Sequence, residues 1–528
     1  MSRLRIRLFI SLGLIFLFII VNVLLFNHKN YSYKSIQKTD PLTTVKLSQL
    51  KDLFSQKMDY IKDNATVFQP YDSQQFSILE EKLNGSDLTL DVLGQLNMIT
   101  PLSNFGYEPI TKQAGPPIST TCLQFNQGTS GWYWLYGTFI NEDGALSSYM
   151  FYILRMDLAP TEVLRKNKLR PGEASLYYIS SGVGINGEWK FSPYMYVRGT
   201  YECLSESTFA FKAIDVPHNG AVKMSSLEPM NYNLSVKWQD PQSNKQFGFD
   251  VNMVSNKPPE FNSKDGCAPC IGGEGTLYWA YTDLHINGNL TFDSNTIKAE
   301  KGVGWMDHQW GFSYLKPLYL QLMYNIQRLA SEKKYLGRYL WMNIHLPDKE
   351  FLIYTFPEST IKKSDVYDKV GVNIYSDNKE TQYDLEGKLH VLETTTVDNV
   401  DYPVKYKFQI GNETYIIDSK PFGENVTLDP SGNLHWSGSA LLYDGEEKKM
   451  GSAFIEANQL QDPTDFLRVQ FKYADLDEKH LPLFDTKSLS FSDVLPSFAF
   501  ILFYISVFIA VILSLCRLIK EFKKSRSH

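Results

Sequence analysis

The chain has 528 residues, of which 43% are hydrophobic, 14% aromatic and 21% charged, and its formal net charge is −6. That apolar fraction can fill more than one core, and the absence of a basic domain argues against nucleic acid as a partner. So many rings suit β structure and apolar pockets.

Residues 1–7 read as a cytosolic tail. Two runs, 8–26 (Leu8 to Phe26) and 494–516 (Val494 to Cys516), contain no charge and are each long enough to cross a bilayer as a helix. The first exceeds the apolar core of a signal peptide and has no small-x-small cleavage site after it, so an uncleaved anchor is favoured. Arg517, Lys520, Lys523, Lys524 and Arg526 follow the second span in the basic tail 517–528. That one-sided charge puts the C-terminus in the cytosol, and with two spans the N-terminus as well. The body between them then faces the lumen or the outside. In keeping with this, Asn30, Asn64, Asn84, Asn233, Asn289, Asn412 and Asn425 each open an Asn-x-Ser/Thr glycosylation triplet. Cys122, Cys203, Cys267 and Cys270 give the body an even number of thiols for an oxidising compartment. Cys267-Ala-Pro-Cys270 lies in a Gly/Pro-rich loop, which favours a structural disulfide over a redox or zinc pair, with Cys122 and Cys203 as the other bridge. Three connectivities remain open.

Residues 27–104 read as a polar tether and a helical collar. Leu47, Leu50, Leu53, Met58 and Ile61 recur at helical spacing, and a second short helix is expected over 75–83. From Cys122 the pattern is β. Trp132 to Ile140, a turn at Asn141-Glu-Asp-Gly144 and Tyr149 to Leu154 form a hairpin, and short strand–turn units follow. Asn287-Gly288 predicts a tight turn. Gly182-Val-Gly-Ile-Asn-Gly187 has the letters of a dinucleotide fingerprint but leads into no helix, so it reads as a β-turn. Further strands are expected over 339–346, 351–356, 406–410, 414–417, 434–442 and 466–473. Two β domains result, 105–315 and 316–480. A faint echo links them. Tyr278-Trp279, Gly288 and Gly302 to Asp307 align with His435-Trp436, Gly445 and Met450 to Glu456, as a duplicated domain would.

The densest chemistry lies in Lys301-Gly-Val-Gly-Trp-Met-Asp-His-Gln-Trp-Gly311. A carboxyl pressed against indoles is poorly solvated and keeps its proton to higher pH, which suits a general acid. In the other reading, Asp307 and His308 are a structural hydrogen-bonded pair beside tryptophans packed in a core.

Trp132-Tyr-Trp-Leu-Tyr-Gly137, followed by Gly144, Tyr149, Phe151 and Arg155, resembles the opening pattern of the carotenoid 1,2-hydratase and AttH-like lipocalin family. Tyr278 to Gly311 is similar to that family's later Gly-x-x-Trp-x-Asp-His-x-Trp segment, in a form also similar to kievitone hydratase-type members. The sequence departs from the pattern at Gly131 and Tyr133, where the family has Glu and Trp, and two membrane spans are not typical of it. The resemblance implies a mainly β fold of two lipocalin-like β-barrel domains, to which the residue patterns above add an N-terminal helical segment and two terminal transmembrane helices. It also implies one of several activities: hydratase, cyclase or none.

A hydratase needs an acid, a cation-stabilising wall and a placed water. Asp307 or protonated His308 supplies the acid, and the resemblance adds Trp310 to these two as catalytic. Trp132, Trp134, Tyr278, Tyr281 and Trp305 offer ring faces to substrate, although packing is the commoner role for such rings. No motif calls for a cofactor or metal. The expected partners are the membrane and an apolar small molecule or lipid, and a non-catalytic glycosylated surface protein is the alternative.

Overall fold

The computed structural model describes residues 45–63, 80–85, 88–99, 131–140, 145–159, 161–169, 173–193, 195–203, 209–215, 219–228, 230–262, 267–269, 275–310, 339–354, 366–376, 379–397, 400–423, 426–428 and 434–458. All of these belong to one compact unit. Both predicted membrane spans lie outside them, and no helix among the described residues is long and apolar enough to cross a bilayer. The strand expected over 466–473 also lies outside.

The described helices include α1 (Leu47–Asp63), α2 (Leu90–Ile99) and α3 (Thr161–Lys166), and residues 80–84 are helical as well, within reach of the short helix expected over 75–83. The first sheet contains β1 (Gly131–Ile140), β2 (Leu146–Asp157), β3 (Ser175–Ile185), β4 (Glu188–Phe191), β5 (Met195–Val197), β6 (Gly199–Cys203), β7 (Phe209–Asp215), β8 (Gly220–Glu228), β9 (Asn231–Gln239), β10 (Gln246–Ser255), β11 (Glu260–Phe261), β12 (Cys267–Pro269), β13 (Gly275–Phe292) and β14 (Asn295–Trp310). The second contains β15 (Tyr339–His345), β16 (Lys349–Tyr354), β17 (Val366–Ser376), β18 (Lys379–Val397), β19 (Val400–Ile410), β20 (Glu413–Asp418), β21 (Val426–Leu428), β22 (Leu434–Asp444) and β23 (Lys449–Asn458).

The second sheet closes. Its order runs from β20 down to β15, then β23 and β22, and β22 pairs back to β20, giving an eight-strand barrel. The first is an antiparallel sheet in the order β4-β3-β2-β1-β14-β13-β10-β9-β8-β7-β6. It curls around one core until Tyr177 on β3 and Phe211 on β7 stand 4.9 Å apart. β5 pairs with β3 and β6 with β7, and only Arg198 separates the two short strands. One run of chain therefore bridges the sheet's ends without a continuous ladder. The expectation of two closed barrels is corrected to one closed barrel and one curled sheet.

Several sequence expectations shift. Asn287-Gly288 is not a turn; β13 runs straight through it with a register irregularity between Ile286 and Gly288. The reversal comes at Asp293 and Ser294, with φ of 52° and 67°, the left-handed pair that a two-residue hairpin requires. Asn186 and Gly187 turn β3 into β4 in the same way, as the β-turn reading of that glycine run expected. α1 and α2 do not stand apart as a collar. They cover the outer face of β2, β3 and β5, packing Leu50, Phe54, Leu93 and Leu96 with Met156, Tyr178 and Tyr196. α2 approaches so closely that a Cβ on Gly94 would fall 2.0 Å from the Tyr196 ring.

The echo between the halves is reproduced in strand register. In β13–β14, Trp279 faces His308 and Ala280 faces Asp307; in β22–β23, Trp436 faces Ala457 and Ser437 faces Glu456. The adjoining strands match as well: Asp307 stands opposite Trp134 of β1, and Glu456 opposite Trp341 of β15.

A tryptophan-lined layer between the two sheets

Strand alternation sorts the motif onto two faces. On β14, Met306 belongs to the core enclosed by the first sheet, whereas Trp305 belongs to a separate layer. That layer is formed by the outer faces of β1, β13 and β14 against β15, β16, β17 and β23, and it contains Trp134, Tyr136, Tyr278, Trp305, Trp341 and Phe454. Trp134 meets Trp341 edge-on at 5.4 Å and Phe454 at 4.7 Å. Trp305 meets Trp341 edge-on at 5.4 Å. The outer strand faces are apolar because a second sheet covers them, as an inner face would be.

Asp307 projects into this layer and is 4% exposed. Tyr278 Oη donates to its Oδ2 at 2.8 Å, and Trp305 Nε1 donates to the same oxygen at 3.3 Å. Oδ1 has no partner among the described residues. Burial pushes the carboxyl up to about 8, the nearby Glu456 charge adds to the rise, and the Tyr278 and Trp305 hydrogen bonds oppose it. The group therefore holds a proton at neutral pH. Because Oδ2 already accepts two hydrogen bonds, that proton resides on Oδ1, the oxygen free to donate.

His308 is on the other face. Its ring stacks on Tyr133 at 4.0 Å and meets Trp279 at 5.7 Å. Nδ1 lies 2.8 Å from the Trp132 carbonyl, an acceptor only, so Nδ1 carries the hydrogen. Asp307 and His308 thus form no pair, in either the catalytic or the structural reading of the sequence, because adjacent strand residues point apart.

The structure brings Trp134, Tyr278, Trp305 and the partly buried Trp132 to the Asp307 layer. Tyr281 falls in the first core instead, accepting from Tyr232 Oη at 2.9 Å. Trp310 ends β14 opposite Gly131, and its side chain lies outside the described residues. Sequence reasoning missed Tyr136, Trp341 and Asn343. Tyr136 Oη crosses the layer to Asn343 Oδ1 and to His345 Nε2, the latter at 2.9 Å. Tyr136 lies within the Trp132 to Gly137 run but was not singled out there, and no motif on β15 marked Trp341 or Asn343; only the aromatic character of Trp341 was a signal. The candidate glycosylation sites Asn84, Asn233, Asn289 and Asn412 are exposed; Asn30, Asn64 and Asn425 lie outside the described residues. So do Cys122 and Cys270, and for Cys203 on β6 and Cys267 on β12 only the backbone is described.

The sequence profile of the AttH-like family matches residues 126–458. The chain belongs to the AttH-like family. The matched span holds both sheets and the tryptophan layer of this AttH-like chain. Its fold is similar to an AttH-type protein from Nitrosomonas europaea, at 12% identity and a TM-score of 0.42, covering 66% of this chain and 100% of that one. Kievitone hydratase from Nectria haematococca is similar at 13% identity and a TM-score of 0.41, covering 67% and 98%. CghA is similar at 12% identity and a TM-score of 0.39, covering 66% and 94%. No curated protein sequence matches this AttH-like chain.

Proposed function

We propose that this chain is a membrane-anchored, cofactor-independent hydratase acting on an apolar, alkene-bearing small molecule of isoprenoid or lipid character, with its body lumenal or extracellular. The observation that carries the reading is the state of Asp307. It is a buried carboxyl, pushed up to about 8 by that burial, whose Oδ2 is held by Tyr278 and Trp305 and whose Oδ1 has no partner among the described residues. A proton held on Oδ1 within this aromatic layer is available for transfer to an alkene carbon. The π pair forms the new C–H bond and leaves a cation on the neighbouring carbon. The ring faces of Trp134, Trp305 and Trp341 stabilise that charge. Water then adds through its oxygen and gives up one proton to solvent, and solvent returns one to Asp307, so that one water is added overall.

The test is a ligand-conversion assay with the full chain in detergent, incubated with a lipid extract. A gain of one water by a bound alkene, reduced about 100-fold or more in Asp307→Asn with unchanged circular dichroism, is the expected result. Release of an unchanged ligand from both proteins would make the chain a non-catalytic binding protein.

A further inference from the structure

The register match between the two hairpins places a second acid in the same layer. Glu456 on β23 occupies the position that Asp307 occupies on β14, and His435 on β22 the position of Tyr278 on β13. The hydrogen-bonding relation recurs too: Tyr278 Oη holds Asp307 at 2.8 Å, and His435 Nδ1 lies 3.3 Å from Glu456 Oε1. Trp134 and Trp341, the strand neighbours of the two acids, meet edge-on at the centre. Trp305 then packs on Trp341 as Phe454 packs on Trp134, so the arrangement has an approximate two-fold axis through that pair. Glu456 is close enough for its charge to act on Asp307. An independent observation points to a ligand here: Trp341 Nε1, on a side chain 5% exposed, has no partner among the described residues.

Resting on the hydratase reading of Asp307, we infer that Glu456, oriented by His435, is the general base of the same reaction, holding the water and taking its proton. Asp307 gives its Oδ1 proton to one alkene carbon, and the water oxygen bonds to the other. The proton that the water loses goes to Glu456. Solvent then restores the proton of Asp307 and removes that of Glu456, so the net change is one water added. The two acids belong to different sheets, which lets them serve the two steps separately. Trp341 Nε1 is a donor suited to the water or product oxygen.

The two steps are measured separately with the full chain and linear isoprenoid alkenes, in D₂O and in ¹⁸O-labelled water. Deuterium washed into recovered alkene reports protonation by Asp307, because the cation can return to alkene by losing a proton. Incorporation of ¹⁸O reports water addition. Glu456→Gln is expected to lose ¹⁸O incorporation about 100-fold while keeping deuterium wash-in, whereas Asp307→Asn loses both. Wild-type ¹⁸O rates in Glu456→Gln overturn the inference and leave the role of Asp307 standing. Neither label entering in the wild type removes the reading of Asp307 and this inference with it. Should Glu456→Gln fail to fold, His435→Asn carries the test. A tenfold or greater fall in ¹⁸O incorporation at unchanged deuterium wash-in supports the inference, and an unchanged rate overturns it.

Discussion

Asp307 shows how two hydrogen bonds to one oxygen can set the chemistry of the other. With a folded-state value of about 8 against about 4 in an unfolded chain, the folded protein binds this proton more tightly. Unfolding therefore releases a proton between about pH 4 and pH 8, and stability falls as pH rises through that window. Melting temperatures measured from pH 5 to pH 9 should decline more steeply for the wild type than for Asp307→Asn. Equal slopes would show that the carboxyl is not held protonated. Since the Tyr278 bond pulls the value down, Tyr278→Phe should move the alkaline limb of the activity profile to higher pH and cost about 1 kcal/mol of stability. A limb that stays in place would separate that phenol from the acid. At this scale the sequence was half legible. It marked Asp307, Trp305, Trp134 and Tyr278 by their density. It misled on His308, because neighbours in sequence were treated as neighbours in space where a strand sends them to opposite faces.

Glycines set how closely each hairpin approaches the strand beside it, β1 for β14 and β15 for β23. A Cβ on Gly304 would lie 2.1 Å from the Tyr136 carbonyl, and one on Gly451 would lie 2.1 Å from the His345 carbonyl. In each case the neighbouring backbone comes too close for a side chain. Gly304→Ala should cost about 1–3 kcal/mol by overpacking and displace Trp305 and Tyr136 within the layer, which chemical denaturation and tryptophan fluorescence would detect. A variant as stable as wild type with an unchanged spectrum would mean that the strands can part there at no cost. Hairpin strands with one wet face were legible from alternation. β1 was legible from its run of aromatics although both of its faces are covered, whereas β14 was harder, because Lys298, Glu300 and Lys301 are exposed in its first half and both faces are covered in its second. β18 was missed for the opposite reason: its outward face is charged and exposed, so a 19-residue strand reads as loop. Glu456 and His435 were within reach through the faint echo, whereas Trp341 lies on a strand the echo did not include.

At the scale of the whole molecule, polar contacts join the two sheets around the aromatic layer. Lys257, after β10, pairs with Glu350 on β16, and Thr282 on β13 donates to the same carboxyl oxygen at 3.2 Å. Asn373 donates to the Asn262 carbonyl at 2.9 Å, and Tyr375 donates to the Phe261 carbonyl at 3.2 Å. Thr138 Oγ1 and Ser439 Oγ are 2.6 Å apart. The Glu350 side chain is only 5% exposed and burial raises its carboxyl to about 7 even beside Lys257, so removing that cation leaves a buried carboxyl without its partner. Lys257→Met should destabilise by about 3 kcal/mol, and Lys257→Met with Glu350→Leu should recover most of the loss. Denaturant midpoints decide the point, and a double variant no better than the single one would assign the loss to packing. None of these partners was legible in the sequence, since each depends on which faces of two separately formed sheets meet.

The matched hairpins have one more implication. In a symmetric homodimer of half-length chains, both acids would have to be the same residue in the same setting. One continuous polypeptide lifts that restriction, so a phenol-held aspartate and an imidazole-held glutamate can confront each other across a single seam, each free to specialise.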